Sequence, residues 1–498
     1  MAHRYCQKWC STIFKQILNM EISLPKIFKV SAHTDHIGKG STFVAIKGTH
    51  ANGANYIPLA LEKGATTIVI EMDDVLDQNI LKKIENSDVS IQRVKNARLA
   101  LAQLSSQAYN YPAQKLQILG VTGTKGKTTT VHILEHILKK SGVKTALLST
   151  VGNRIGNKKI EGSLTTPLPD YLHVFFDICL KNNINTVIME VSAQALSLYR
   201  LTNITFDGII FTNFDQEHAE FYTTLDDYFQ AKCKIFDHVK PQAPVVINVD
   251  DQRLKKLLNK ANTSISFSCN TKNDNPASYK LKEFKTNLRD GSSGMISHQQ
   301  ETVKFSSPLI GEFNAYNILG TVSLLHQLGV SWDHILNGLK TFRNVPGRFH
   351  MLKLPNNAYA CIDYAHTPSS FEAILSLLST LTPDLIVIFG CGGDRDKIKR
   401  PKMGEIASRY AQRVYLTTDN PRSEKTSDII HDIMQGVSSE YNNKIFIELD
   451  REKAILLAYQ YSKPNTIIAL LGKGPDEYQI IGNTKIPFSE HEILSSLK

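Results

Sequence analysis

Residues 120–130 read Gly-Val-Thr-Gly-Thr-Lys-Gly-Lys-Thr-Thr-Thr, directly after a strand-like apolar run, Leu116 to Leu119, and directly before an amphipathic helical period. A strand that turns through small residues into a helix leaves backbone N–H groups at the helix N-terminus, where the partial positive charge of the helix adds to theirs. Such a turn cradles phosphate oxygens; Lys127 supplies a full charge, and the Thr128 hydroxyl can hold Mg²⁺. The chain is therefore expected to use a nucleoside triphosphate. The strict pattern wants glycine five residues before Gly126, where Val121 stands, so an ordinary glycine-rich turn is the competing reading.

The loop sits inside a longer rhythm. Apolar runs at Thr145 to Leu148, Thr186 to Met189, Gly208 to Phe211 and Val245 to Asn248 alternate with helical periods, the pattern of a mostly parallel sheet covered by helices. Upstream, Thr42 to Lys47 and Thr66 to Ile70 read as strands with a helix at Ile57 to Lys63, and Tyr111-Pro112-Ala113 as an exit linker. Beyond a break at Asn344 to Arg348 the rhythm returns at Tyr359 to Asp363, Leu385 to Gly390, Val414 to Thr417 and Thr466 to Leu471. Residues 270–305, rich in Asn, Lys and Ser, read as an added antiparallel hairpin region. The expected fold is thus α/β in three domains: a small N-terminal α/β domain over 1–113, a central phosphate-loop ATPase-like domain over 114–345, and a Rossmann-like domain over 346–498.

Composition narrows the class. A chain that is 42% hydrophobic and 21% charged is globular, and its net charge of +10 comes from scattered lysines, which fits a solvated basic surface or attraction of anionic substrates better than a nucleic-acid groove. The seven cysteines are odd in number and spread out, as expected of a reducing cytoplasm. Residues 1–20 mix polar and apolar groups without a signal-peptide core, and no apolar run approaches the roughly 20 residues of a membrane span.

Ligands of open α/β sheets gather beyond the carboxyl ends of strands. The polar clusters of this chain fall there: the phosphate loop, Glu190-Val-Ser192, Thr212 to His218, Asp363-Tyr-Ala-His366, Gly390 to Arg395, Asp419-Asn-Pro-Arg422 and Gly472-Lys-Gly474. Each taken alone is also compatible with turn chemistry.

Together with Thr165-Thr-Pro167, the Tyr228 to Lys232 segment, Gly311-Glu-Phe-Asn-Ala-Tyr-Asn317 and Pro346-Gly-Arg348, these clusters resemble the Mur ligases over nearly the whole chain. The runs Gly390 to Lys397 and Asp419 to Arg422 point to the MurE-type branch, whereas the phosphate loop is shared with folylpolyglutamate synthases. The resemblance implies an ATP-dependent amide ligase that adds meso-diaminopimelate to UDP-N-acetylmuramoyl-L-Ala-D-Glu through an acyl phosphate, in a monomer whose third domain closes over ATP. ATP would meet Gly123, Thr124, Lys125, Gly126, Lys127, Thr128, Thr129, Asn317, Arg348, Asp363 and His366. One Mg²⁺ would be held by Thr128 and Glu190, and a second near His218 and Lys232, the lysine being carbamylated in the family. With Lys127, the residues Glu190, His218 and Lys232 form the implied catalytic set. The uridine-nucleotide substrate would meet Thr34, Thr165, Thr166, Ser192 and Arg200; the incoming amino acid would meet Arg395, Asp419, Asn420, Pro421, Arg422, Gly472 and Asp476. A guanidinium at Arg422 can fork onto the distal carboxylate of diaminopimelate, a group lysine lacks.

Read without the family, Lys232 is a surface helix lysine, His218 a capping histidine, Arg348 one half of a salt bridge and Arg422 a loop arginine. The chain also departs from the family pattern. His33-Thr34-Asp35 replaces Asp-Ser-Arg, Lys125 replaces asparagine, Gln194 and Leu198 replace histidine and glutamine, Glu217 to Tyr222 lacks a closing histidine, and Pro475-Asp476 replaces His-Glu. These leave open an L-lysine or other amine acceptor, and a non-catalytic Mur-like nucleotide-binding protein.

Overall fold

The computed structural model describes residues 22–48, 51–85, 87–162, 164–215, 221–272 and 276–497. The expectation for residues 1–20, with Cys6 and Cys10, lies outside these, as does His218. By the density of its internal contacts the chain divides into two compact units: Met1–Glu283, Met295–Phe305 and Ala315–Leu339 form the first, and Phe284–Gly294, Ser306–Asn314 and Lys340–Lys498 the second.

The first unit opens with a four-stranded parallel sheet, Val30–Ser31, Thr42–Val44, Thr67–Glu71 and Ser90–Val94, in sequence order. The strand expected to reach Lys47 stops at Val44, because the chain turns there: Gly53 N–H donates to Ile46 O and Lys47 bridges Asn52.

Next comes a sheet whose parallel core runs, in space, Ser264–Ser268, Val245–Asn248, Gly208–Phe211, Gln117–Thr122, Thr186–Glu190, Thr145–Leu148. Every residue of the strands 145–148, 186–190, 208–211 and 245–248 is buried, as continuous apolar runs covered on both faces require. Two short antiparallel strands, Asn153–Ile155 and Lys158–Ile160, extend one edge. The other edge carries Tyr279–Asn287, Gly291–His298 and Glu301–Ser307, joined by connections too short for anything but antiparallel pairing, as the hairpin reading of this region anticipated.

Strand order reverses at Gln117–Thr122: the next strand in sequence lies two places to one side and a later one lies on the other. That reversal opens a crevice at the carboxyl edge. Register decides what faces it. Val121 pairs with Glu190 and Thr122 with Phe211, so the loops after 122, 190 and 211 leave the sheet side by side.

The second unit is built on a six-stranded sheet, ordered His350–Lys353, Tyr359–Asp363, Ile467–Leu471, Leu385–Phe389, Arg413–Leu416, Ile445–Ile447, antiparallel only at its first pair. Asp363, Leu471, Phe389 and Leu416 align across four strands, so the loops starting at 364, 390, 417 and 472 share one rim. The fold is the α/β arrangement expected, a small N-terminal sheet, a central mostly parallel sheet and a Rossmann-like sheet. No helix among the described residues is long and apolar enough to cross a membrane.

Candidate active site

The phosphate loop forms as a turn between Gln117–Thr122 and the helix Lys127–Lys140. Gly126, at φ +84°, caps that helix in the left-handed region, and a Cβ there would lie 2.3 Å from Asn317 Oδ1. Only glycine satisfies both demands. Asn317 Oδ1 also accepts from Thr130 Oγ1 at 3.2 Å, which puts Asn317 against the loop. Lys127 Nζ donates to Gly123 O at 2.8 Å and Thr124 O at 2.9 Å. Lys125 is engaged by Asp215 at 2.7 Å, and its backbone N–H by Asn213. Thr124 hydroxyl donates to Asp215 O, and Thr129 is half-buried on the helix.

Lys232 is not the surface lysine that its sequence position alone suggests. Thr224 and Asp227 form a reciprocal cap that starts the helix Leu225–Cys233, and the spacing of Tyr228, Ala231 and Lys232 turns all three inward. Lys232 is 1% exposed; its Nζ lies 4.7 Å from the Tyr228 ring centre and donates to Gly123 O at 2.8 Å. Two ammonium groups, those of Lys127 and Lys232, thus meet at one carbonyl of the cradle.

Glu190, 1% exposed, is the hub of the crevice. Its Oε1 accepts from Ser149 Oγ at 2.7 Å and Thr150 N–H at 2.8 Å; its Oε2 accepts from Thr128 Oγ1 at 3.1 Å and Thr150 Oγ1 at 3.2 Å. The network continues away from the phosphate loop. Thr150 hydroxyl reaches Thr165 at 3.0 Å, Thr166 hydroxyl donates to Glu190 O at 2.9 Å and accepts from Ser192 N–H, and Arg200 Nη1 donates to Thr166 O at 2.7 Å. Arg200 is 8% exposed, its Nε has no hydrogen-bond partner among the described residues, and burial pulls its pKa below the ordinary range, with Arg98 acting in the same direction. A buried guanidinium with a spare donor has the chemistry to pair with an anion. Thr34 is buried in the short turn Thr34–His36, and its carbonyl accepts from Lys63 Nζ.

In the second unit the rim loops interlock. The Arg348 guanidinium lies 4.8 Å from the Tyr364 ring centre. Asp363 accepts from Phe349 N–H and Ala365 N–H; burial pushes its carboxyl above the usual range, opposed by the Arg348 charge. His366 is exposed, its Nδ1 2.8 Å from Tyr364 O. Arg422 holds a left-handed backbone at φ +51°, with its N–H on Ile480 O and its Nη1 donating to Gly393 O at 2.9 Å. Asn420 O accepts from Gly393 N–H and its Oδ1 from Ile480 N–H, and Pro421 is buried between them. Arg395 is exposed and packs its Cγ over the same glycine turn, near Gly392, that Arg422 Nη1 approaches. Asp419 lies beside Gly472 and 3.9 Å from the buried Lys473 ammonium. Burial raises the Asp476 carboxyl and lowers the Lys473 ammonium from their usual ranges.

Comparison with known proteins follows this layout. Family models match residues 27–109 (Mur ligase family, catalytic domain), 121–325 (Mur ligase middle domain) and 347–474 (Mur ligase, glutamate ligase domain). A UDP-N-acetylmuramoyl-L-alanyl-D-glutamate–2,6-diaminopimelate ligase of Aquifex aeolicus is 36% identical over 97% of this chain and 96% of its own. The chain belongs to the Mur ligase family. Ligases of the same printed name from Clostridium perfringens and Bacillus velezensis are each 35% identical over 94% of both chains. A solved structure of such a ligase shares the fold at a TM-score of 0.64 and 24% identity over 94% of both chains, and the MurF ligase of Thermotoga maritima in complex with ADP does so at 0.63 and 19%, over 89% of this chain and 93% of its own.

Several residues that shape this Mur ligase were not among those read from sequence. Ser149 and Thr150 follow the strand Thr145–Leu148 at the same carboxyl edge, so the strand-end rule had the means to find them. Arg400, fully buried, grips Glu424 at 2.9 Å through both terminal nitrogens and Asp432 at 2.8 Å; it lies on the helix Lys399–Tyr410, where no local signal marks it.

Proposed function

We propose that this ligase joins meso-diaminopimelate to the D-glutamyl carboxylate of UDP-N-acetylmuramoyl-L-Ala-D-Glu with cleavage of ATP, in peptidoglycan synthesis. The observation that carries the reading is the network that runs from Thr128 at the phosphate loop through Glu190 to Thr166, whose carbonyl accepts from Arg200, with the Thr150–Thr165 pair and Ser192 as branches. It joins a triphosphate cradle to a buried cation along one edge, as phosphoryl transfer to a bound carboxylate requires. The printed names of full-length relatives supply the substrates and weigh against a lysine acceptor or a non-catalytic role.

In this reading residues 1–113 hold the uridine end, with Thr34; residues 114–345 hold ATP through residues 123–129 and Asn317; residues 346–498 take the amino acid, with Arg348, Asp363 and His366 serving the nucleotide. Backbone N–H groups and Lys127 bind the phosphates, and a substrate carboxylate oxygen attacks the γ-phosphorus as ADP leaves. The amine nitrogen then attacks the acyl carbon, a proton is lost, and phosphate leaves with the C–O bond. Arg200 orients the acyl substrate, while Arg395, Asp419, Asn420, Pro421, Gly472 and Asp476 form the amino-acid rim on which Arg422 selects the distal carboxylate.

A hydroxyl and a carboxylate oxygen 3.1 Å apart beside the loop, Thr128 Oγ1 and Glu190 Oε2, are hard donors that suit Mg²⁺ completed by phosphate oxygens. The ion, when bound, neutralises charge on the transferring phosphoryl group. Lys232, as a carbamate, is the proposed oxygen ligand of a second ion together with His218.

Phosphate release from purified protein, with ATP, the UDP-muramoyl dipeptide and a panel of amino acids, tests the reading. Turnover with diaminopimelate is expected; none with any amine refutes it, and preference for lysine refutes the role of Arg422.

A further inference from the structure

Behind Glu190 lies a second row of polar groups that the reaction as described does not use. His132 is 7% exposed on the inner face of the helix that follows the phosphate loop. Its Nε2 is 3.3 Å from Ser149 Oγ, and its Nδ1 is 3.3 Å from Arg154 Nη2. Arg154, on the strand Asn153–Ile155, is in turn paired with Glu135, 3% exposed and one turn beyond His132.

The chemistry of these groups gives the row a direction. A guanidinium has donors only, so Nδ1 of His132 must accept; the ring is then neutral with its proton on Nε2, and that N–H donates to Ser149 Oγ. The Ser149 hydroxyl, which also accepts from Val151 N–H at 3.4 Å, donates its own proton to Glu190 Oε1 at 2.7 Å, since a carboxylate oxygen can only accept. Arg154, His132, Ser149 and Glu190 thus form a one-way row of hydrogen bonds that starts at the partly exposed Arg154 and runs inward through three buried groups, where each bond polarises the next. Its end point is specific: Oε1 takes Ser149 and the Thr150 N–H, which leaves Oε2 turned toward Thr128 and the cradle.

We infer that His132 is a positioning residue for Glu190, acting through Ser149 to hold the carboxylate plane so that Oε2 faces the Mg²⁺ bound with the nucleotide. The inference rests on the reading of Glu190 as a magnesium ligand. Groups that orient a ligand carboxylate typically change metal affinity by about 10–100-fold when removed. The device asks for a side chain at 132 that accepts at one end and donates at the other. Glutamine meets that need, its carbonyl toward Arg154 and its NH₂ toward Ser149; leucine fills similar space and meets neither.

The test measures binding of a fluorescent ATP analogue to the full chain as Mg²⁺ is titrated, with a parallel measurement in EDTA. His132→Leu and Ser149→Ala are expected to raise the Mg²⁺ concentration at half-maximal binding by about tenfold or more with affinity in EDTA unchanged, and His132→Gln to restore the wild-type value. Ser149→Ala removes one oxygen and keeps the measurement available should His132→Leu fail to fold. Glu190→Ala separates the layers. Loss of Mg²⁺ dependence there, with wild-type dependence in both His132→Leu and Ser149→Ala, overturns the inference alone; full Mg²⁺ dependence in Glu190→Ala overturns the metal reading and the inference with it. His132→Gln as impaired as His132→Leu also overturns it, since packing rather than hydrogen-bond polarity would then be what position 132 supplies.

Discussion

Glu424→Gln is the most informative single change in the second unit. Glu424 keeps 15% of its side chain in solvent and faces Arg400, which keeps none. Arg400 donates to both Glu424 oxygens at 2.9 Å, Lys397 Nζ lies 3.3 Å away, and Glu424 Oε1 also accepts from Asp394 N–H at 2.6 Å. These donors, Arg400 first, pull the Glu424 carboxyl from 4.5 to about 2, with burial opposing. At about 1.4 kcal/mol per unit the shift corresponds to roughly 3 kcal/mol, trimmed to about 2 kcal/mol by the residual solvent at Glu424 and Asp432. A folded-state pKa below the unfolded one stabilises the fold fully above pH 4.5, and that contribution is lost as pH falls through about 2. Urea unfolding, followed by hydrogen exchange of the Leu385–Phe389 amides, should therefore show Glu424→Gln about 2 kcal/mol less stable than wild type at neutral pH. The gap should close as pH falls from 4.5 toward 2. Because Glu424 ties Asp394 to Arg400 beside the turn that holds Arg422, KM for the amino acid should rise while that for ATP stays. A gap of the same size at pH 7 and at low pH, or none at neutral pH, would refute the reasoning.

Two further changes probe the loops themselves. Gly126→Ala sets a Cβ 2.3 Å from Asn317 Oδ1 at φ +84°, so nucleotide binding by calorimetry should fall at least tenfold with the fold retained by circular dichroism; wild-type affinity would remove Gly126 from the cradle. Arg422→Lys replaces a planar fork with a point charge, so KM for diaminopimelate should rise about tenfold with KM for ATP unchanged; equal changes in both would assign Arg422 a structural role.

Strands buried on both faces announce themselves, because a continuous apolar run has few other uses. Thr145–Leu148, Gly208–Phe211 and Val245–Asn248 have the bounds their apolar runs indicate. Ser90–Val94 does not announce itself: four of its five residues are exposed on an edge, so hydrogen bonding to Thr67–Glu71 forms the strand without an apolar pattern. The same logic governs the departures from the family pattern. Gln194 is exposed, and Tyr222 places its hydroxyl 3.1 Å from Ser197 Oγ, a local bond that no motif at 217–222 foretells.

For the site, legibility divides along chemistry rather than importance. The loop positions were readable because one rule, ligands beyond strand carboxyl ends, applies to a pattern visible in sequence, and the register that pairs Val121 with Glu190 brings two of those loops side by side. Lys232 was named through the resemblance alone, and that it turns inward is seen only in the fold, on the helix capped at Thr224. His132 and Arg400 stand on helices behind the loops, and what they do depends on which partner the sheet brings within 3.3 Å. Glu190 and Arg422, proposed to face magnesium and the amino acid, are each held by a group with no motif of its own, Ser149 in one case and the Gly393 carbonyl in the other. A sequence pattern therefore marks the groups proposed to touch a ligand, whereas the groups that hold them in place are set by strand register and helix facing. A substitution at such a holding position should for that reason change affinity for metal or amino acid while every motif residue stays intact.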